Sequence, residues 1–245
     1  MAKTVLITGG SRGIGRAAAV LFASRGWNVA FSFVGNQQSA DETCALCERA
    51  GVTGNAFARK CDVRDEDSVI DFFRTAYERF GAIDGVVNNA GIVAPKSTLA
   101  DMDVDRMKNV FDTNVLGAYL VAREAARMLP NGGSIVNVSS MAAKLGSPGE
   151  YVDYAGSKGA IDTLTIGLSK ELGPKGIRVN AVRPGIINTD IHASAGRPER
   201  VSELGPGCPL GRAGNADEVA QSIYWLISDD ASYVTGAILD VSGGR

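Results

Sequence analysis

Thr4-Val5-Leu6-Ile7-Thr8-Gly9-Gly10-Ser11-Arg12-Gly13-Ile14-Gly15 decides the fold. Residues 4–8 form a short apolar, β-branched run, and a glycine-rich turn follows at once. Residues 16–25 then carry helical apolar spacing (Ala18, Leu21, Phe22) and close on Gly26. A strand entering a glycine turn and leaving through a helix is the opening of a dinucleotide-binding βαβ unit. The glycines allow a tight turn and let a phosphate approach without Cβ atoms in its way. The free N–H groups of the first helical turn then face that phosphate with the positive end of the helix dipole behind them. The spacing is T-G-x-x-x-G-x-G rather than the common G-x-G-x-x-G. On this segment alone an ordinary tight β–α connection is an alternative.

The rest of the chain extends the pattern. Strand-like runs at 28–33, 55–63, 85–88, 134–139, 177–182 and 237–241 alternate with helix-like stretches. The helices are read at 38–50, from Asp65 or Ser68 through Phe80, and at 103–128, 151–172 and 216–227. Seven strands in one continuous order predict a doubly wound parallel α/β sheet with helices on both faces, as one domain over 1–245. No internal repeat or linker interrupts it. Ligands bind such sheets outside the carboxyl ends of the strands. Those ends carry Gly9–Gly15, Asp62-Val63, Asn88–Gly91, Ser139-Ser140 and Pro184-Gly185.

Composition narrows the function. The 245 residues are 45 % apolar and 21 % charged, with a net charge of −2. No electrostatic case exists for nucleic acid or for an anionic membrane. No apolar stretch approaches the roughly 20 residues that span a bilayer. No basic-plus-apolar leader is read at the N-terminus, so a cytoplasmic protein is expected. Cys44-Ala-Leu-Cys47 has C-x-x-C spacing, but it lies in a helical stretch with no second pair. His192 is the only histidine. No metal site is expected, and the chemistry must use other acids and bases.

Tyr154-Ala155-Gly156-Ser157-Lys158 supplies them. Positions i and i+4 share a helix face. A free phenol has a pKa of about 10, and a neighbouring ammonium lowers it toward the neutral range. Such a phenol can exchange a proton with an alcohol or carbonyl oxygen. Ser140, at the end of the fifth strand, can bind the same oxygen. A buried tyrosine beside a snorkelling lysine is the plain alternative for this motif in isolation.

Taken together, the motifs identify the chain as similar to the short-chain dehydrogenase/reductase family over essentially its whole length. They run in the family's order: TGGSRGIG at 8–15, CDV at 61–63, NNAG at 88–91, Asn114, IVNVSS at 135–140, YAGSK at 154–158 and Pro184-Gly185. The resemblance implies a single Rossmann-type domain that transfers hydride between NAD(P)(H) and a carbonyl or alcohol. It implies Tyr154 as acid/base, Lys158 as the residue that tunes Tyr154 and binds the nicotinamide ribose, Ser140 as the partner polarising the substrate oxygen, and Asn114 as support for a water relay. One departure stands out. Many members place the serine 13 residues before the tyrosine, which here is Met141. Ser140 is 14 back, and one extra residue within 146–153 would absorb the offset. Ser139 is the alternative, although strand alternation points it to the other face. Tyr151 has no lysine four residues on and is read as a decoy.

For the cofactor, the resemblance implies Gly9, Ser11, Arg12, Gly13, Ile14 and Gly15 around the pyrophosphate. Asp62 and Val63 would lie at the adenine, and Asn89, Ala90 and Gly91 beside the adenosine ribose. Pro184, Gly185, Ile187 and Thr189 would lie near the carboxamide. NAD-preferring members carry an acidic residue at the end of the second strand. Residues 24–40 hold no Asp or Glu, and Ser32, Phe33 and Asn36 lie where it would be. Arg12 offers a cation for a 2′-phosphate, so NADP(H) is expected over NAD(H).

Residues 188–209 are read as a lid over the substrate, with His192 at the surface. Relatives in pattern include 3-oxoacyl carrier-protein reductases and glucose or other sugar dehydrogenases. The segments 129–134 and 173–178 offer Lys175 but no clear arginine pair, which weakens the acyl-carrier reading. A dinucleotide-binding sensor without catalysis is the alternative of another class, against which the intact Ser140, Tyr154 and Lys158 speak. The long helices 103–128 and 151–172 imply, by resemblance, pairing into a homotetramer.

Overall fold

A computed structural model describes residues 2–51 and 55–245. The elements follow the sequence order: β1 (Thr4–Ile7), α1 (Gly13–Ser24), β2 (Asn28–Phe33), α2 (Gln37–Ala50), β3 (Ala56–Lys60), α3 (Glu66–Phe80) and β4 (Gly85–Asn88). Next come α4 (Val104–Phe111), α5 (Ala118–Met128), β5 (Ser134–Val138), α6 (Ala142–Leu145), α7 (Val152–Leu172) and β6 (Arg178–Pro184). The chain then forms β7 (Ile187–Asn188), α8 (Ile191–Ser194), α9 (Arg200–Leu204), β8 (Gly214–Asn215), α10 (Ala216–Ile227) and β9 (Ile238–Val241). The main sheet is parallel, with strand order β3-β2-β1-β4-β5-β6-β9. The chain winds outward from β1 through β2 and β3, then crosses back to place β4 on the other side of β1. That reversal opens a crevice at the carboxyl ends of β1 and β4, where ligands bind in such sheets.

Alternation along β1 divides the core. Val5 and Ile7 pack with Phe22, Phe31 and Ile223 on the side of α1 and α10. Leu6 faces Phe72, Phe73, Val121 and Ile135 under α3 and α5. Both layers are almost fully buried, so a one-residue slip of the strand would invert both faces. The glycine turn leaves β1 with Gly9 and Gly13 at φ +67° and +55°. Gly13 opens α1, and residues with a Cβ rarely adopt that backbone. Gly15 follows for a different reason: a Cβ there would stand 2.2 Å from the Gly9 carbonyl oxygen.

Two expectations are corrected in detail. The third strand stops at Lys60, where pairing with Phe33 ends, so Cys61–Val63 lie beyond it and lead into a turn at Val63-Arg64. The predicted helix over 103–128 runs from Val104 and contains a π-helical turn, Asp112–Gly117, between α4 and α5. Gly117 is required there, because a Cβ would meet the Val63 side chain at 2.6 Å. The segment 188–209, read as a lid, has secondary structure of its own. It carries α8 and α9, and its base is closed by a two-stranded parallel pair, with Ile187 opposite Gly214 and Asn188 opposite Asn215.

Candidate active site

Buried polar groups hold the carboxyl ends of β1, β4 and β5 in register. The Thr8 hydroxyl accepts from the backbone N–H of Asn89 and Ala90, each at 3.0 Å. The Asn89 amide returns bonds to the carbonyls of Thr8 and Gly9 at 2.8 and 3.1 Å. Deeper in the sheet Asn88 donates to Asn137, which donates to Thr165 on α7. Satisfied networks of this kind fix geometry, because any broken member leaves a buried polar group unpaired.

Arg16 performs the same task for the glycine turn. Its guanidinium donates to the Ser11 carbonyl (2.6 and 3.0 Å), to the Ser39 carbonyl (3.1 Å) and to the Thr43 hydroxyl (2.9 Å). The turn is thereby tied to α2. Sequence reasoning missed Arg16, whose partners lie up to 32 positions from the turn they brace.

Between these ends lies a cleft of about 900 Å³. Its lining includes the glycine turn (Gly9, Ser11, Arg12, Gly13, Ile14, Gly15), Asp62 and Val63, Asn89, Ala90 and Gly91. It also includes Ser32, Ser140, Tyr154, Lys158, Pro184, Gly185, Ile187 and Thr189. Ser32 is buried, and its hydroxyl accepts from the Gly9 N–H at 3.2 Å. Asn36, which sequence also placed near this end of β2, instead caps α2 through Ser39 N–H. Arg12 is exposed and donates to Ser194 on α8 at 3.1 Å, so it spans the cleft from turn to lid. Arg64 chelates the Asp62 carboxylate, with contacts down to 2.6 Å, and holds that carboxyl below the usual range. The open glycine turn, the free helix start and the length of the cleft fit a dinucleotide.

Ser140, Tyr154 and Lys158 meet at the other end. Lys158 is buried on α7, donates to the Val138 carbonyl at 2.7 Å, and stands 5.7 Å from the centroid of the Tyr154 ring. Burial lowers its pKa to about 8, against an opposing pull from the Asp162 carboxylate. Ser140 lines the cleft with Tyr154, and its hydroxyl, which accepts from the Ala142 N–H at 3.1 Å, acts to lower the phenol's pKa. Ser139 faces away and donates to the Lys158 carbonyl at 3.2 Å. Three left-handed residues, Gly146, Ser147 and Gly149, lie in the connection between Ser140 and Tyr154. The expectation for the phenol itself is corrected. Burial raises the Tyr154 pKa and the Ser140 hydroxyl only partly offsets this, so in the chain alone Tyr154 is a protonated acid.

Asn114 lies behind the cleft rather than in its wall. It sits in the π-helical turn, accepts from the Ile92 N–H at 2.8 Å, and donates to the Ile92 carbonyl (2.9 Å) and the Ser157 hydroxyl (3.1 Å). Ser157 in turn donates to the Tyr154 carbonyl at 2.7 Å. A Cβ on Gly91 would stand 3.2 Å from Asn114 Oδ1 and 3.4 Å from Lys158 Nζ, so this glycine lets the two side chains converge.

The lid closes over the reactive end through a carboxylate that sequence reasoning did not single out. Glu150 takes Arg197 on one oxygen at 2.8 Å and Arg200 on the other at 2.7 Å. Arg200 also lies 5.0 Å from the Tyr151 ring centroid. His192 is half-buried rather than at the surface, with Nε2 3.0 Å from the Ile187 carbonyl; burial lowers its pKa, so near neutrality it is an uncharged imidazole. Cys44 and Cys47 are free thiols, and burial raises both. Among the described residues there is no metal-binding cluster and no helix long and apolar enough to cross a membrane.

A doubly wound sheet with a dinucleotide cleft ending on a serine, a tyrosine and a buried lysine defines a nicotinamide-dependent oxidoreductase. Comparison with known proteins names the family. The sequence pattern of the family described as Enoyl-(Acyl carrier protein) reductase matches residues 9–245. The chain is 49 % identical over 245 residues to the uncharacterized oxidoreductase YgfF of Escherichia coli K12, covering 98 % of each. It is 41 % identical to an L-rhamnose 1-dehydrogenase (NAD(P)(+)) of Sphingomonas sp. SKA58, over 99 % of this chain and 95 % of the relative. The crystal structure of levodione reductase superposes with a TM-score of 0.93 at 30 % identity, over 99 % of this chain and 96 % of the other. The chain belongs to the short-chain dehydrogenase/reductase family and is an oxidoreductase acting on carbonyl and alcohol groups.

Proposed function

We propose that the chain is an NADP(H)-preferring carbonyl reductase and alcohol dehydrogenase in which Ser140, Tyr154, Lys158 and Asn114 act as one set. The observation that carries this reading is the convergence of Ser140, Tyr154 and Lys158 in one cleft, with Lys158 Nζ 5.7 Å from the centroid of the tyrosine ring. A substrate oxygen placed at this pair accepts from both hydroxyls. Tyr154 then gives its proton to that oxygen as the carbonyl becomes an alcohol, and takes it back in the oxidative direction. Its raised pKa suits the donor role. When bound, the nicotinamide cofactor supplies the hydride for the carbonyl carbon. Lys158, held on the Val138 carbonyl, presents an ammonium that favours the phenolate when the reaction runs toward oxidation. Asn114 orders the backbone of Ile92 and, through Ser157, that of Tyr154.

The NADP(H) preference rests on Arg12 and on the absence of any acidic side chain over 24–40. The glycine turn, Asp62-Val63, Asn89–Gly91 and Pro184–Thr189 hold the dinucleotide in this reading. A sugar-type substrate gains support from the rhamnose dehydrogenase relative. A homotetramer in the cytoplasm completes the proposal. Its support is the exposed apolar row on α4, the π-helical turn, α5 and α7: Val104, Phe111, Leu116, Tyr119 and Ile166.

The test is oxidation of NADPH, with NADH beside it, against a 3-oxoacyl thioester, a diketone, an aromatic aldehyde and a keto sugar. Turnover of one class with NADPH preferred supports the reading. Tight NADPH binding with turnover of none supports the sensor, the reading of another class.

A further inference from the structure

Three buried polar side-chain atoms lack a hydrogen-bond partner among the described residues: Arg123 Nε, Asp162 Oδ1 and the Tyr151 hydroxyl. Of these three residues only Tyr151 lines the cleft. It is 4 % exposed, so bulk water does not serve the phenol. A buried hydroxyl without a partner is unfavourable and uncommon, and a ligand that supplies the missing partner explains one.

Tyr151 is placed for such a ligand. It immediately precedes α7, three residues before Tyr154, and its carbonyl accepts from the Ala155 N–H at 2.9 Å. Tyr151, at the N-cap, and Tyr154, in the first helical turn, therefore leave neighbouring positions, and both residues line the cleft. The lid covers Tyr151: Arg200 lies over the ring while its guanidinium is held by Glu150. The ring is thus fixed by the Arg200 stack, and the hydroxyl is the part left without work. A substrate with a single oxygen at Ser140 and Tyr154 would leave the second phenol unpaired.

We propose that Tyr151 is a specificity residue whose hydroxyl binds a second substrate oxygen, carried on a carbon next to the reacting one. The substrate class is then an α-hydroxycarbonyl compound and the corresponding vicinal diol. This rests on the reading of Ser140 and Tyr154 as the site of the reacting oxygen.

Tyr151→Phe tests the proposal and keeps the ring under Arg200. The readout is the ratio of kcat/KM for 2-hydroxycyclohexanone to that for cyclohexanone, measured with NADPH. Wild type is expected to favour the hydroxyketone, and the variant to lose about three- to tenfold of that preference. A purely structural role for the hydroxyl would shift both substrates together. An unchanged ratio overturns the proposal, as does a wild type that does not favour the hydroxyketone. A second measurement needs no turnover: calorimetric binding of cyclohexane-1,2-diol and cyclohexanol to the protein saturated with NADPH. Tighter diol binding in wild type, reduced severalfold relative to cyclohexanol in Tyr151→Phe, supports the second-oxygen site even if no ketone is reduced. In that case only the reductase reading fails. Equal binding of the two alcohols in wild type overturns the second-oxygen site.

Discussion

Lys158 Nζ gives a hydrogen bond to the Val138 carbonyl at 2.7 Å and stands 5.7 Å from the centroid of the Tyr154 ring, one helical turn away. The lysine is thus anchored to the end of β5 while its charge lies beside the phenol. Sheet and helix are coupled at the proposed site of proton transfer, and several measurable consequences arise from the burial that this coupling requires.

Lys158 makes the stability of the cofactor-free protein depend on pH. Burial lowers its folded pKa to about 8, against 10.5 for the free group. Between those values the unfolded chain binds more protons than the folded one, so this group contributes stability as pH rises from about 8 to 10.5. Buried Cys61 and Cys47, raised to about 11 and about 12 from 9.0, act with the opposite sign above pH 9. The comparison must therefore be with Lys158→Met. Urea midpoints at pH 7.5 and pH 10 should show wild type gaining relative to the variant; parallel behaviour would refute the burial of a titrating lysine.

Arg12 should separate the two cofactors. It makes no ion pair among the described residues and reaches only Ser194 of the lid. Its guanidinium is therefore available to a 2′-phosphate, a charge-assisted bond worth about 1.5–3 kcal/mol. Arg12→Ala is expected to raise KM for NADPH about tenfold or more while moving KM for NADH by less than threefold. Equal effects on both would remove Arg12 from the phosphate site.

Gly15 leaves no room for a methyl group. A Cβ would lie 2.2 Å from the Gly9 carbonyl oxygen and 2.7 Å from the Asn89 amide nitrogen. Gly15→Ala should cost about 1–3 kcal/mol in a denaturation experiment. It should also weaken NADPH binding, because the displaced Gly9–Asn89 contact is the floor of the glycine turn. Full retention of both would mean that the turn is looser than its geometry indicates.

Glu150 holds the lid. Burial tends to raise its carboxyl pKa, but the Arg200 and Arg197 guanidiniums outweigh this and keep it below the usual glutamate value. The stability it contributes is present above the ordinary glutamate range and is lost as pH falls through its lowered folded pKa. Glu150→Gln is expected to accelerate tryptic cleavage after Arg200 severalfold at pH 8 without NADPH; Arg197 precedes Pro198 and is not a tryptic site. An unchanged cleavage rate would show that the β7–β8 pair alone fixes the lid.

Much of this was legible in the sequence because the signals are local. The run 4–15 carries strand, turn and helix start within twelve residues, and Tyr154–Lys158 lies within one helical turn. Strand alternation also separates the two serines as read: Ser139 donates to the Lys158 carbonyl, while Ser140 lines the cleft with Tyr154. What escaped has longer reach or depends on depth. The π-helical turn at Asp112–Gly117 barely perturbs an apolar period read over 103–128, and its only trace is an asparagine within a helix. Arg16 and Glu150 act on segments far away in sequence. The direction of the Tyr154 pKa depends on how completely the phenol is buried, and motif spacing carries no information on that. Tyr151, without a lysine partner, held no catalytic signal; the burial of its unpartnered hydroxyl is set by tertiary packing.

The central claim is that Tyr154 delivers the proton to the substrate oxygen. It is tested most directly by Tyr154→Phe, with carbonyl-dependent oxidation of NADPH and NADPH affinity measured on the same preparations. Loss of a positioned proton donor should lower kcat by about 10²–10⁴, with the NADPH dissociation constant changed by less than about threefold. A variant that retained kcat within a few-fold of wild type would contradict the account and move the proton donor to another group.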